Sequence, residues 1–282
     1  MNGSRRIWSA MSRCYGSIEC GASPFVLTGP LLLLLLVSCR SIAPVRETGF
    51  LNRSVKVGTM TYPYVVYVPK EYDRRRSWPV VLFLHGAGER GSDGIRQTGF
   101  SLGHAIRNGD VKVPFVALFP QAPADKQWLG EVADAAIRAL DRTVDEYRGD
   151  PKRIYLTGLS LGGYGTWHLA IANPDRFAAI VPICGGIVAQ ESAQSVRQSP
   201  LTKRAGDPYR FVARALRDTP VWIFHGSADQ VIPASESRLM EAALKEEGGN
   251  VRYTEYKGVG HNSWDRAYTD PELWKWLMAQ RR

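Results

Sequence analysis

Hydrophobic positions along the chain fall into two regimes. The first follows residue 53, where Val55-Lys56-Val57 and Tyr62 to Val68 are β-rich runs separated by a glycine-containing turn, a pattern that predicts an opening antiparallel pair. The second begins at Val80. Val80–Leu84, Phe115–Phe119, Ile154–Thr157 and Ala178–Ile183 are short, continuous apolar runs bounded by Gly, Pro or Asn, as expected of parallel strands buried on both faces. Pro220–Phe224 and Val251–Tyr256 supply two further strands.

Helical spacing separates the later runs. Val132, Ala135, Ala136, Ala139, Leu140 and Val144 form one apolar face of a helix predicted over Glu131–Tyr147. Further helices are expected from Ser160 to about Ala172, over Ala234–Glu246, and from Pro271 onward. Alternating strands and helices after an antiparallel start predict an α/β architecture: a mostly parallel sheet of about eight strands with helices on both faces. The polar stretch 187–203, rich in Gln and Ser, is too long for an ordinary strand-to-helix connection. It is expected to be an insertion, either a disordered surface segment or a flap over the site, with the flap preferred.

Composition adds limits. The 282 residues are 44% hydrophobic and 22% charged, ordinary for one globular catalytic domain over 53–282. The formal charge is +9; residues 1–38 hold three arginines against one glutamate, so +7 remains without them. Lys and Arg are scattered and do not form a stripe with interleaved aromatics, so no nucleic-acid partner is expected.

The N-terminus carries a targeting signal. Phe25–Val37 is a 13-residue apolar run with six consecutive leucines, preceded by arginines and followed by small residues. It is too short to cross a bilayer comfortably and matches a signal-peptide core. Its close, Leu36-Val37-Ser38-Cys39, resembles the bacterial lipoprotein signal, in which the cysteine is lipidated and becomes the mature N-terminus. The expectation is a signal peptide over 1–38, a tether over 39–52 and an exported, membrane-anchored protein, with translation starting at Met1 or Met11. Cys14 and Cys20 would leave with the leader and Cys39 would carry lipid, so only Cys184 remains in the folded body, at the end of an apolar strand where core packing is expected.

Chemistry concentrates at strand ends. Gly158-Leu159-Ser160-Leu161-Gly162 follows a buried strand and opens a helix, the context that turns G-x-S-x-G into a nucleophile elbow. So tight a turn crowds its neighbours, which accounts for Gly158 and Gly162. Of five histidines, His104 and His168 lie in predicted helices, and His85 and His225 read as fixtures of strand-end turns. His261, in the loop after the last strand, is the candidate base. Asp229, just beyond the strand that ends at His225-Gly226, is the candidate acid and satisfies the chain order Ser, acid, His. The glycines of Leu84-His85-Gly86-Ala87-Gly88 let a loop approach a substrate carbonyl, so the N–H groups of Ala87 and Leu161 are expected to form an oxyanion hole.

In combination, LHGAGERG, GLSLGGYG, VWIFHGSADQVIP and GHNSWDRAYTDPELWKWL resemble the esterases and predicted peptidases of the α/β-hydrolase superfamily related to dienelactone hydrolase and the prolyl oligopeptidase catalytic domain. The resemblance covers Val55 to the C-terminus. It implies the α/β-hydrolase fold, Ser160 as nucleophile, Asp229 as acid, His261 as base, and catalysis without metal or organic cofactor. By analogy it places Trp128 and Trp264 at the substrate pocket, although either ring could equally serve the core. A propeller domain is not expected, which puts oligopeptide specificity in doubt. The expected activity is hydrolysis of small-molecule or polysaccharide-linked carboxylic esters. A serine peptidase acting on short peptides, and a surface-anchored binding protein with a vestigial hydrolase fold, stay open at this point.

Overall fold

A computed structural model describes residues 47–282 apart from 113, 190–196 and 204. The expected signal peptide, the lipidated Cys39 and the tether up to residue 46 lie outside the described residues, as does the middle of the 187–203 insertion. The described chain builds one eight-stranded sheet: β1 (Gly49–Val57), β2 (Met60–Val68), β3 (Trp78–Leu84), β4 (Val116–Pro120), β5 (Gly149–Leu159), β6 (Ala179–Ile183), β7 (Val221–Gly226) and β8 (Val251–Tyr256). Their order across the sheet is β1-β2-β4-β3-β5-β6-β7-β8. The first three neighbours pair antiparallel and every later pair is parallel, so β2 alone runs against the other seven. This is the mostly parallel sheet expected from the pattern of runs, in the α/β-hydrolase arrangement that the resemblance implies.

Two helical layers cover the sheet. The helices are α1 (Ser101–Asn108), α2 (Glu131–Glu146), α3 (Leu161–Ala172), α4 (Pro200–Lys203), α5 (Pro208–Ala215), α6 (Ser235–Glu246), α7 (Trp264–Thr269) and α8 (Pro271–Ala279). One core joins Val80, Leu82 and Leu84 of β3 to residues of α2, α3, α5 and α6. The other joins Val81 and Phe83 to α1, α7 and α8, with Trp274 stacked on Phe115 at 5.0 Å. Strand side chains alternate between faces, so a strand covered on both sides must be apolar at every position. That requirement explains why β3 reads as an unbroken run rather than an alternation.

Three elements differ from expectation. β1 begins at Gly49, so residues 49–52 belong to the sheet and not to a tether. The strand sits at the sheet edge, where its first half pairs with β2 from Gly49↔Val68 onward and Phe50 packs on Tyr67 and Phe119. β5 is eleven residues long, because its polar start, Gly149 to Arg153, extends the ladder beyond the buried part. The ends of the expected insertion are fastened. At the near end the N–H groups of Ile187 and Val188 donate to Glu236 Oε2 at 2.8 and 3.1 Å, and at the far end that of Arg197 donates to Gln127 Oε1 at 2.8 Å.

The crossover from β3 to β4 moves to one side and β5 returns on the other. Ligands in open α/β sheets sit outside the carboxyl ends of strands at such a switch point. Here that edge carries the loops after β3 and β5.

Candidate active site

Ser160 links β5 to α3 with φ +53° and ψ −117°, a left-handed backbone that a side-chain-bearing residue adopts only when its surroundings enforce it. Its N–H donates to the Ile183 carbonyl at 2.9 Å, tying the turn to the neighbouring strand. Two glycines make the turn feasible. A Cβ on Gly158 would lie 2.3 Å from the Gly162 oxygen, and one on Gly162 would lie 1.9 Å from the Leu84 oxygen. Either side chain would have to displace backbone.

The half-buried serine meets a histidine from the other side of the cleft. Ser160 Oγ is 2.9 Å from His261 Nε2, and His261 Nδ1 is 2.7 Å from Asp229 Oδ2. The loops after β7 and β8 deliver these last two groups together because they are stitched to each other. Ala228 N–H donates to the Val259 oxygen at 2.9 Å, Gly258 N–H donates to Ser227 Oγ at 2.8 Å, and Gly226 is packed so closely that an added Cβ would lie 2.2 Å from the Gly260 oxygen.

Asp229 has a fully buried side chain, yet it is held ionised. Burial pushes its carboxyl up, but hydrogen bonds from His225, His261 and the Ile232 backbone outweigh that and hold it well below the usual carboxylate range. With Asp229 ionised, His261 Nδ1 carries a proton and donates it to Oδ2, which leaves Nε2 free to accept from the serine hydroxyl.

The loop after β3 faces the same place. A Cβ on Gly86 would sit 3.7 Å from Ser160 Cβ, so the backbone passes directly over the serine. His85 is buried, and its Nε2 accepts the Ala122 N–H at 3.0 Å, which leaves Nδ1–H to donate to the Gly86 oxygen at 2.6 Å. Burial lowers its pKa to about 4, so the ring stays neutral. Holding the Gly86 carbonyl fixes the plane of the 86–87 peptide and therefore the direction of the Ala87 N–H. Leu161 is the first residue of α3, where an N–H has no partner within the helix and the helix dipole favours negative charge.

The two tryptophans take different places. Trp128 is 1% exposed, donates from Nε1 to the His85 oxygen at 3.0 Å and meets the His85 ring edge-on at 4.8 Å. Its position is in the core beneath the β3 loop and not in the cleft, because its indole supplies a partner for a buried carbonyl. Trp264 starts α7, half-buried, with its ring edge-on to His261 at 5.5 Å. Sequence reasoning passed over His225, which contacts Asp229, because a histidine at a strand end carries no sign of which carboxylate it will meet.

Cys184, expected in the core, is fully buried just after β6, and burial pushes its thiol up. Its sulfur, an Asp229 oxygen and a His261 nitrogen lie within 4.8 Å of one another. Holding a cation there would require the thiolate that burial disfavours and would displace the proton between Asp229 and His261. The donor set suits a hydrogen-bonded relay better than a metal.

Taken together, a hydroxyl, an imidazole acceptor, an ionised acid and backbone donors at a helix start can perform nucleophilic attack on a carbonyl. Comparison with known proteins agrees with this architecture. The chain is 34% identical to a thermostable esterase of known structure, with a TM-score of 0.68 over 83% of this chain and 63% of that one. It is 29% identical over 208 residues to feruloyl esterase B of Thermothelomyces thermophilus, covering 64% of this chain and 67% of that protein. It is 27% identical over 248 residues, 79% of this chain, to a secreted protein of Arthroderma benhamiae, of which it spans only 25%. The family model described as the prolyl oligopeptidase family matches residues 122–280, more than half of the sequence and including Ser160, Asp229 and His261, and the chain belongs to that family.

Proposed function

We propose that the protein is an exported serine hydrolase that cleaves carboxylic esters. The observation that carries this reading is the unbroken relay from Asp229 Oδ2 through His261 to Ser160 Oγ, set on a strained turn at a helix N-terminus. Ser160 Oγ attacks the ester carbonyl as His261 Nε2 takes its proton, and Asp229 stabilises the imidazolium. The N–H groups of Ala87 and Leu161 receive the developing oxyanion. On collapse His261 returns the proton to the departing alcohol, leaving an acyl-serine. Water, activated by the same imidazole, then releases the acid. Likeness to an esterase and to a feruloyl esterase supports acyl or aromatic-acid esters as the substrate class, free or linked to polysaccharide.

Family membership favours a second reading, a peptidase. The two diverge at collapse of the tetrahedral intermediate. An alkoxide or phenolate leaves with modest help, whereas an amine must be protonated and oriented by His261, which demands a peptide held on both sides of the bond. An ester and an anilide sharing one acyl group should therefore differ in kcat/KM by about 10² or more in favour of the ester, a gap of about 3 kcal/mol in transition-state energy. Comparable rates, or preference for a proline-containing peptide, would favour the peptidase.

Export rests on the leader and is supported by likeness to a secreted fungal protein, whereas anchoring rests on the leader alone. Lipid on Cys39 would hold the enzyme at the membrane, since acyl chains contribute about 0.8 kcal/mol per buried CH₂. Among the described residues no helix is long and apolar enough to cross a membrane. Cys39→Ala is expected to move the protein from the membrane fraction to the soluble one or leave it unprocessed. Continued membrane partitioning, with no lipid mass on the native chain, would remove the anchor from the account.

A further inference from the structure

Asp229 is gripped by a second histidine. His225 is the next-to-last residue of β7 and is itself fully buried. Its Nε2 lies 2.9 Å from the Ile232 carbonyl oxygen and 3.2 Å from Asp229 Oδ2. Both neighbours are acceptors, so Nε2 must carry a proton. Its Nδ1 lies 2.7 Å from Ser237 Oγ in the first turn of α6. In the neutral ring Nδ1 accepts the Ser237 hydroxyl proton, which fixes the tautomer from behind.

The two carboxylate oxygens are then held in different ways. Oδ1 accepts from the N–H groups of Val231 at 2.8 Å and Ile232 at 2.9 Å, both within its own loop. Oδ2 accepts from His261 on one side and His225 on the other. The backbone pair fixes Oδ1 but leaves the group able to turn about it. His225, rooted in the sheet, holds Oδ2 where His261 Nδ1 can meet it. It also draws charge from that oxygen, so the shared proton stays on the imidazole when His261 becomes positive.

We propose that His225, backed by Ser237, is a positioning residue for the acid: its Nε2–H on Asp229 Oδ2 sets the carboxylate that orients His261. This rests on the ester-hydrolase reading of the same site. His225 acts through Asp229 and His261, so its removal should lower kcat and leave KM unchanged.

Two amide replacements separate positioning from packing. A glutamine can carry an N–H to about the place of Nε2, while an asparagine reaches only to about the place of Nδ1. His225→Gln should keep kcat within about tenfold of wild type and His225→Asn should lose about 10², the scale of a misplacement of about 1 Å in a catalytic group. KM should stay within about twofold in both. The low-field proton NMR resonance of the His261–Asp229 bridge should persist in His225→Gln and move upfield in His225→Asn. Ser237→Ala, a smaller change, should lower kcat several-fold with the same direction of NMR shift, and it decides the matter if neither amide variant folds by thermal unfolding.

Equal kcat in folded Asn and Gln variants, a KM effect at constant kcat, or an unmoved resonance in His225→Asn would overturn the proposal. If only Ser237→Ala folds, unchanged kcat and resonance would overturn it. The wild type keeps the two claims apart. Without ester turnover in the wild type the underlying reading fails, whereas turnover that is indifferent to these variants removes only the role of His225.

Discussion

Ser160→Ala is expected to lower kcat for a simple ester by about 10⁴ to 10⁶, and His261→Ala by a similar factor, with the fold retained. The size follows from the unity of the relay: without the hydroxyl the imidazole at 2.9 Å has nothing to activate, and without the imidazole the hydroxyl cannot lose its proton as it attacks. The double variant should accordingly lose little more than either single one. Neither substitution touches the core. Ser160 and His261 are both half-buried at the cleft, and the turn around Ser160 is enforced by the packing of Gly158 and Gly162, which an alanine at 160 leaves in place. Steady-state kinetics of the three variants beside their thermal unfolding would check this. Turnover by Ser160→Ala equal to that of the wild type would end the assignment.

Asp229→Asn is expected to lose about 10⁴ in kcat, from a reversed tautomer rather than a lost contact. An asparagine oxygen would settle where Val231 and Ile232 present their N–H groups, which turns its NH₂ toward His261 Nδ1 and His225 Nε2. His261 must then accept at Nδ1 and carry its proton on Nε2, where it can no longer take one from Ser160. The same substitution has a signature in acid. The Asp229 carboxyl is held well below the usual carboxylate range in the folded protein, whereas an unfolded Asp titrates at about 3.9. Its stabilising contribution is therefore complete above about pH 4 and is lost as the pH falls toward the lowered folded value. The difference in unfolding free energy between wild type and Asp229→Asn should shrink between pH 5 and pH 3 in denaturant titrations at about those two values.

Much of this architecture could be read before any coordinates, because burial on both faces writes itself into composition. β3, β4 and β6 are apolar at every position, and α2 and α3 lie close to where periodicity and the G-x-S-x-G turn put them. The residues of the relay were legible for a related reason: each follows a parallel strand at the carboxyl edge of the sheet. Edge and surface elements were not. The first half of β1 is marked only by Phe50 and Leu51 and is otherwise held by backbone pairing, and α5 begins where Asp207 accepts the N–H groups of Tyr209 and Arg210, in a stretch for which no element was expected. Partnerships were the hardest to see. Trp128 was assigned to the pocket by analogy, but its indole N–H is committed to the His85 carbonyl, and nothing local in the sequence distinguishes an aromatic facing a substrate from one bracing a loop. His85 and His225 were recognised as strand-end residues, yet the carbonyl that one clamps and the carboxylate that the other grips become visible only when β3, β5 and β7 are brought together.

The central claim is that Ser160 is an activated nucleophile, and covalent labelling with a fluorophosphonate tests it most directly. Purified protein treated with the probe should gain the mass of one adduct, located on the peptide that contains Ser160. Ser160→Ala should gain none, and His261→Ala should react far more slowly because its hydroxyl has no base 2.9 Å away. Failure of the wild type to react, or an adduct on another residue with Ser160 left unmodified, would contradict the account.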